Sequence, residues 1–304
     1  MNIGNKIEIL KKLIKDNGII NVFEKYVPRI ITNRALLELD YQWILYKRYK
    51  KKYNYLFDRI SFIDNNRSSC SCKDIVIWTM WLQGEDNAPQ LVKRCFQQMR
   101  LFYGVENVIV IDERNVKEYV NIPEYVWAKY KDGIISRTHF SDIIRVLLLC
   151  THGGVWIDST CYLSDRLPAE FFSTQLFAFQ NPDCFFGAHK ASSWFIIANK
   201  NSLILNLVRL MLLEFWKKNN KLDDYFLFHV FFSIATDATD LTRNEWSKVP
   251  FFNNDTPQIM RRELSLPYNA NRFASLCKMS SIHKLSYKLD VHAHNSIYDY
   301  LCNS

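Results

Sequence analysis

The spacing of hydrophobic positions changes in kind after the first 72 residues. Up to residue 60, apolar residues recur every three or four positions, which predicts helices. From residue 73 onward, short apolar runs suited to buried strands alternate with helical stretches. The polar segment between the two parts predicts a joint. We therefore predict a helical region over residues 1–72 and an α/β domain over residues 73–304.

The second region opens with a strand, a helix and a strand in close succession. The apolar runs at residues 75–78 and 107–112 predict strands, and residues 86–101 between them follow a helical pattern. Two strands joined by a helix form a right-handed crossover unit, which indicates a parallel sheet. The other predicted elements are strands at residues 176–179 and 194–198, helices at 202–217 and 223–234, a polar loop at 236–255 and a weakly periodic tail from 281.

Residues 141–160 combine an apolar helix, a glycine turn and a short strand that ends in an acid. Asp142 and Arg145 lie one turn apart on one face of the helix, and Asp158 follows the strand. A carboxylate at a strand end beside such a pair can bind a metal ion or a hydroxyl-rich ligand in a crevice. A simple salt bridge and a strand-ending acid explain the same pattern, so the stretch alone leaves both interpretations open.

Composition excludes several broad classes of protein. With 304 residues, 48% of them hydrophobic, the chain can bury a large core and is not intrinsically disordered. No apolar run is long enough to span a bilayer, and the N-terminal residues lack the core of a signal peptide. The eight cysteines show no paired metal-binding spacing. They predict buried thiols in a reducing, cytoplasmic setting.

Positive charge is concentrated in the helical region. Residues 1–72 contain 14 Lys and Arg against 7 Asp and Glu, whereas the whole chain carries a formal charge of +8. The densest part, residues 46–53, mixes cations with tyrosines. Such a region suits an anionic membrane surface, a nucleic acid or a polyanionic substrate, and an ordinary solvated helix face explains it equally well.

Several common catalytic motifs are absent. The sequence has no glycine-rich dinucleotide or Walker loop, no Gly-x-Ser-x-Gly elbow and no His-Glu-x-x-His. Trp78 and Trp81 stand at the end of the first predicted strand, where they offer a flat face to a base or sugar, or else belong to the core. His283 and Lys284 pair a possible metal ligand with a cation, unless they are surface residues. His292 and His294, near the C-terminus, have a spacing that can chelate but favour no site.

The combination of these segments resembles glycosyltransferase family 32 and its relatives, among them the glucosylating domains of large clostridial toxins. The resemblance is carried by Ser141-Asp142-x-x-Arg145 followed by Gly153-Gly154-Val155-Trp156-Ile157-Asp158-Ser159-Thr160. It is narrowed to the bacterial capsular polysaccharide synthesis branch by Ile77-Trp78-x-x-Trp81-x-Gln83-Gly84-Glu85-x-x-Ala88-Pro89 and Asp224-Tyr225-Phe226-Leu227-Phe228-His229. The similarity covers roughly residues 73–290.

The resemblance implies a fold and a set of roles. The fold would be a GT-A-like, nucleotide-sugar-binding α/β fold with an N-terminal helical extension. Trp81 matches the tryptophan that stacks on uracil, with Trp78 beside it as a further donor-binding candidate. Asp142 and Arg145 match the pair that holds the donor sugar. Asp158 falls on the first acid of the Asp-x-Asp motif. Asp142, Arg145 and Asp158 are all catalytic candidates.

A divalent metal, Mn²⁺ or Mg²⁺, is also implied, with Asp158, Thr160 and His283 as its expected ligands. Thr160 stands where the relatives have the second acid of the motif, and a hydroxyl is a weaker, neutral ligand. Three outcomes are possible for the metal: Asp158 alone takes over its ligation, it binds more weakly with His283 as a further ligand, or no metal is needed. We expect the first two in combination. Lys284 is expected at the donor phosphates. Asp224 is a further catalytic candidate, expected at the acceptor or the sugar.

These roles together predict a retaining transferase that moves galactose or glucose from a UDP-sugar to a lipid-diphosphate-linked saccharide in bacterial capsule synthesis. The enzyme is expected in the cytoplasm, with its basic region in peripheral contact with the anionic inner face of the membrane and with no nucleic acid bound. Two alternatives stay open. One is a metal-dependent phosphodiester hydrolase that uses Asp158, Asp142 and His283. The other is a catalytically silent glycan-binding protein that kept the fold, which Thr160 would favour.

Overall fold

A computed structural model describes residues 34–63, 75–181, 188–288 and 294–303 of the protein, with side chains from residue 41 onward. The α-helices, in chain order, are α1 (Arg34–Lys52), α2 (Gln90–Tyr103), α3 (Val116–Tyr119), α4 (Glu124–Lys131), α5 (Arg137–His152), α6 (Leu203–Lys218), α7 (Leu227–Thr236), α8 (Asp240–Ser247), α9 (Ile259–Glu263), α10 (Ala270–Met279) and α11 (Ile297–Asn303). The strands are β1 (Ile77–Met80), β2 (Val108–Ile111), β3 (Gly154–Ile157), β4 (Cys161–Leu163), β5 (Leu176–Gln180), β6 (Ala191–Ala198) and β7 (Ile282–Lys284). Short 3₁₀ helices cover Asn54–Ile60, Glu85–Asn87, Ala169–Phe172 and Thr256–Gln258.

The central sheet has the strand order β2-β1-β3-β6-β5. Strand β1 pairs in parallel with both β2 and β3, whereas β6 runs antiparallel to β3 and to β5. The predicted α/β class is therefore confirmed, although the sheet is mixed rather than wholly parallel. From β1 the chain moves outward to β2 and then returns past β1 to β3. Right-handed connections in these two directions place α2 and α5 on opposite faces, which opens a crevice at the carboxyl ends of β1 and β3.

The described part of the N-terminal region is packed onto this domain. Tyr49 and Tyr53 are buried, stack on each other and meet the ring of Phe231 in α7 edge to face. They belong to the same continuous hydrophobic core as the sheet. The boundary predicted between residues 72 and 73 lies outside the described residues, as do residues 1–33. Within the part of the chain that is described, no helix has the length and apolarity needed to cross a bilayer.

The polar stretch at residues 236–255 contains a helix where a loop was predicted. Thr239 and Thr242 form a reciprocal capping box at the start of α8. Glu245 is buried and accepts hydrogen bonds from the Ser202 hydroxyl at 2.6 Å and the Leu203 N–H at 2.8 Å, at the start of α6. Helix α8 is therefore stabilised by a polar contact with the start of α6 rather than by a hydrophobic stripe. Because its sequence lacks such a stripe, hydrophobic periodicity did not predict it.

The C-terminal tail is also more regular than its pattern indicates. Strand β7 pairs antiparallel with β4, with Cys161 opposite Lys284 and Tyr162 opposite His283. Helices α9, α10 and α11 pack with α2 around a second, smaller hydrophobic core. Each of these elements is short, and the strand depends on pairing across more than 100 residues, so local periodicity carries little signal for them.

Candidate active site

A cavity of about 350 Å³ opens at the carboxyl ends of β1 and β3. Its walls come from residues 80–83 after β1, the first turns of α5, the turn that follows β3, and Tyr287 and Lys288 after β7. This is the crevice that the reversal of strand order creates, and its size lies within the range of roughly 300–1,000 Å³ typical of small-molecule sites. The cavity is therefore the candidate active site.

Helix α5 supplies one wall and carries two buried charges, Asp142 and Arg145, on a buried face that is largely apolar. Ser136 caps its start by accepting a hydrogen bond from the His139 N–H at 3.3 Å. The Arg145 guanidinium then donates through Nη1 to Asp142 Oδ1, one turn away. The second Asp142 oxygen lies 3.4 Å from His139 Nδ1. Because both Asp142 and Arg145 are buried, each depends on the other for its charge to be accommodated.

The glycines after α5 set the direction in which β3 enters the sheet. Gly153 and Gly154 have φ values of 74° and 101°, in the region that residues with a side chain rarely adopt. A Cβ on Gly154 would lie 2.5 Å from the Val76 carbonyl oxygen, so the close approach of β3 to the start of β1 also requires glycine. The strand then runs directly to Asp158, whose N–H donates to the Trp194 carbonyl at 2.9 Å.

Asp158 is the centre of the polar network under the cavity. Its Oδ1 accepts hydrogen bonds from Arg145 Nη2 and from the Trp156 indole N–H, both at 2.9 Å. Its Oδ2 accepts from the Lys284 ammonium at 2.8 Å, and the same ammonium donates to the Thr160 hydroxyl at 2.8 Å. The structure thus joins α5, the turn after β3 and β7 at a single carboxylate.

This network keeps both acids charged. Burial alone would raise the pKa of Asp158, but Lys284 and Arg145 hold it below its ordinary value. Burial likewise opposes the charge of Asp142, and Arg145 again brings its pKa below the usual range. Since a lowered folded-state pKa stabilises the fold above the unfolded value, this stabilisation is present at neutral pH and is lost as the pH falls through the folded-state pKa. Lys284 has the opposite balance: burial lowers its pKa, Asp158 raises it, and the net shift is upward.

An aromatic pair forms the opposite wall. Trp81 is half-buried at the end of β1, and its ring meets that of Tyr287 edge to face at 5.5 Å. Its indole nitrogen is buried and has no hydrogen-bond partner among the described residues. Arg137 and Lys288 are exposed lining residues of the same cavity. The cavity therefore presents a flat apolar surface at one side and cations around it, which suits a ligand with an aromatic base and an anionic group.

The structure places Trp78 in the core rather than at the cavity, and its expected contact with the donor stays a prediction. The Trp78 side chain is 3% exposed, and its indole N–H donates to the Gly153 carbonyl at 2.9 Å. Its ring packs against Tyr119 and His152, near the end of α5. Trp78 is a core residue that fixes the glycine turn, and it does not line the cavity.

His283, one of the expected metal ligands, lies in β7 next to Lys284, and its role as a ligand stays a prediction. Neighbouring residues of a strand point to opposite faces, so His283 faces away from the side on which Lys284 reaches Asp158. Its Nε2 lies 3.0 Å from the Ser164 hydroxyl. Burial lowers the pKa of His283 to about 4, which leaves a neutral imidazole inside the small sheet. The structure does not bring it together with Asp158 and Thr160.

Asp224 lies just before α7 and is half-buried. Its carboxylate accepts a hydrogen bond from the Phe226 N–H at 2.8 Å, and it is not among the lining residues of the cavity. Its expected contact with acceptor or sugar stays a prediction. Of the two histidines nearest the C-terminus, His292 lies outside the described residues, and His294 is exposed.

The side chains expected to hold a divalent ion do not fit one as they stand. Both Asp158 oxygens and the Thr160 hydroxyl already bind cationic or N–H donors, and Lys284 lies between the two side chains. Among the described residues there is no group of three or more His, Cys, Asp or Glu able to hold a metal. A hard divalent cation such as Mg²⁺ binds through one or two free carboxylates together with water and substrate phosphate oxygens, so it needs carboxylate oxygens that are not already taken by other cations. Binding of Mn²⁺ or Mg²⁺ stays a prediction, and such an ion would have to compete with Lys284 for the same oxygens.

Several contributors to the site were not identified from the sequence, among them Trp156, Arg137 and Tyr287. Trp156 lies two residues before Asp158, and the period of two along a strand places both on one side, so this contact had a local signal. Arg137 lies two turns before Arg145 on α5, and a helical projection would have placed it toward the same side. Tyr287 had no such signal, because it reaches Trp81 only through the pairing of β7.

Three comparisons with known proteins bear on this site. A sequence profile of the family described as "Capsular polysaccharide synthesis protein" matches residues 32–301. No curated protein matches the chain. A solved structure titled "PaToxG Glycosyltransferase" is similar over 68% of this chain and 85% of that chain, with 15% sequence identity and a TM-score of 0.35. The profile match covers the whole cavity and confirms the family to which the sequence motifs pointed.

Proposed function

The chain belongs to the capsular polysaccharide synthesis protein family, and from that premise we propose that it is a glycosyltransferase whose donor is a UDP-hexose. The donor would lie in the cavity at the ends of β1 and β3. Its acceptor would be a saccharide carried on a lipid diphosphate, and the bond formed would be an α-glycosidic bond to galactose or glucose. The resemblance of the motifs at residues 141–160 supports this assignment.

One observation carries the proposal: a buried carboxylate network lies directly beneath a cavity that has an aromatic wall and a cationic mouth. Asp142, Arg145 and Asp158 hold one another in a fixed arrangement, so their remaining hydrogen-bonding capacity is already oriented. Carboxylates and a guanidinium of this kind suit the hydroxyls of a sugar. The half-buried face of Trp81 suits a uracil ring, since stacking on a base requires a flat, accessible indole.

The chemistry of transfer asks for charge stabilisation more than for a strong nucleophile. The bond between the sugar C1 and the β-phosphate oxygen breaks, and its electron pair stays on the phosphate as UDP departs. The acceptor hydroxyl oxygen forms the new bond to C1, and its proton passes to the departing phosphate. The C1 centre carries positive character at the transition state, which the ionised Asp158 beneath the cavity stabilises. The cations beside it offset the charge of the diphosphate.

We expect the protein to hydrolyse one UDP-sugar slowly when no acceptor is present. A panel of UDP-sugars, with GDP- and ADP-sugars for comparison, is incubated with the protein, and release of the nucleoside diphosphate is measured. Asp158→Ala should abolish release, because the carboxylate that stabilises the reacting centre is gone. The exposed Asp240→Ala serves as the matched control, since among the described residues Asp240 forms an ion pair with Arg243 alone, at the surface. Turnover of no sugar nucleotide, with glycan binding intact, would favour the catalytically silent alternative.

The acceptor part of the proposal concerns the basic end of α1. Lys50, Lys51 and Lys52 form its last turn, and Lys51 and Lys52 are exposed. Such a cluster is attracted to anionic headgroups by roughly 1 kcal/mol for each cation near the surface. We expect the protein to float with liposomes that contain anionic lipid and the Lys51→Glu/Lys52→Glu variant to float less. Flotation that does not depend on anionic lipid would contradict the membrane contact without touching the donor site.

A further inference from the structure

The Lys284 ammonium lies between Asp158 and Thr160, two of the side chains expected to hold a metal ion. Strand β7 pairs with β4 so that Lys284 lies opposite Cys161, and its side chain reaches back over the turn after β3. There it donates to Asp158 and to the Thr160 hydroxyl, each at 2.8 Å. The backbone reinforces the position, because the Leu285 N–H donates to the Thr160 carbonyl at 2.8 Å. The register of a two-stranded sheet therefore fixes where the ammonium lies.

The ammonium still has capacity for a ligand. An ammonium group carries three N–H donors, and among the described residues Asp158 and Thr160 account for two of them. The Lys284 side chain is 19% exposed and that of Asp158 is 25% exposed, so the pair is not sealed in the core. Lys284 does not itself line the cavity, but it is hydrogen-bonded to Asp158, which does. A phosphate oxygen beside Asp158 is therefore the group that we expect to take the third N–H without breaking the bond to Asp158.

The balance of charge around the cavity also favours an anion without a metal. Arg137, Arg145, Lys284 and Lys288 are cations at or beside it, and Asp142 and Asp158 are the acids of the network. The two acids neutralise two of the four cations. The two positive charges that remain balance the roughly two negative charges of a sugar-nucleotide diphosphate. A divalent ion would have to displace Lys284 from both of its oxygens and would then lie beside an ammonium of like charge.

We propose that the Lys284 ammonium, held by Asp158 and Thr160, takes the place of a divalent metal ion in binding the donor diphosphate, so that donor binding and turnover need no metal. The inference rests on the proposed function for the identity of the anion. When the C1–oxygen bond breaks, Lys284 hydrogen-bonds the phosphate oxygen that keeps the electron pair and remains an ammonium throughout.

Calorimetric titration of UDP into the protein tests the inference. With chelator or with Mn²⁺, wild-type affinity should agree within about threefold. Lys284→Ala should weaken UDP binding at least roughly tenfold in either condition, since a charge-assisted hydrogen bond is lost. Lys248→Ala, which removes an exposed lysine outside the cavity, should leave the affinity unchanged.

A second variant restores a cation by another route. In Lys284→Ala/Thr160→Asp the ammonium is gone and a second carboxylate faces the vacated space, so UDP binding should depend on Mn²⁺. Electron paramagnetic resonance should show depletion of free Mn²⁺ by this variant and none by the wild type. Depletion by the wild type, or UDP binding that chelator abolishes, would overturn the inference and leave the proposed transferase standing. Failure of wild-type protein to bind UDP in any condition would overturn both.

Discussion

Replacing Arg145 with methionine is expected to remove nearly all donor turnover and to destabilise the fold. The Arg145 guanidinium joins Asp142 and Asp158, and its side chain is 4% exposed. Methionine fills similar space but leaves both acids without their shared cation. Removal of one partner from a buried ion pair costs about 3–5 kcal/mol, because the charge that remains is uncompensated. Loss of a positioned donor beside a reacting centre lowers turnover by roughly 100-fold or more.

Urea unfolding followed by tryptophan fluorescence and UDP release from the preferred donor measure the two effects. Arg243→Met is the matched control, since that arginine pairs with Asp240 at the surface and should change stability by about 0.5 kcal/mol or less. Arg145→Lys separates fold from function. It keeps the charge but lacks the two-armed guanidinium that reaches both acids, so it should recover stability in part and turnover very little. Wild-type activity in Arg145→Lys would contradict a positioning role for the two-armed guanidinium of Arg145.

Gly154→Ala is expected to be the most destabilising single methyl addition among the glycines after the helices. The new Cβ would lie 2.5 Å from the Val76 carbonyl oxygen and 3.1 Å from the Trp78 indole nitrogen. Backbone cannot yield there without moving β3 away from β1, and the positive φ adds strain of its own. We expect a loss of about 3–5 kcal/mol in the free energy of unfolding.

Gly133→Ala provides the comparison. Gly133 has a φ of 74°, but a Cβ there would meet nothing within 4 Å. It should therefore cost only the left-handed strain of about 1–2 kcal/mol. The same urea measurement compares both variants, and equal losses would show that strain alone, rather than the close approach of β3 to β1, makes Gly154 necessary.

The sequence was most informative where interactions are local. Asp142 and Arg145 are three residues apart on a helix, so their contact follows from helical spacing, and the acid after β3 follows from the strand pattern. Trp78 and Trp81 were harder to separate. Their odd spacing indicates that they point to opposite faces, but it does not say which of them faces the cavity. Only the structure shows that Trp78 points to the glycine turn while Trp81 lines the cavity.

Contacts between distant segments could not be predicted from the sequence. The reach of Lys284 to Thr160 depends on the pairing of β7 with β4 across 124 positions of the chain. The opposite direction of His283 depends on the same register, so a one-residue slip would have exchanged the two side chains. The buried Glu245 is similar, because it stabilises α8 only through its hydrogen bond to Ser202 in the capping turn of another helix.

The most direct measurement of the central claim is a crystal structure of the protein with UDP, prepared in the presence of chelator. The uracil is expected against the ring of Trp81, and the diphosphate is expected at Lys284, beside Asp158, in the cavity at the ends of β1 and β3. Nucleotide bound elsewhere on the protein, or a diphosphate that makes no contact with Lys284, would contradict the account.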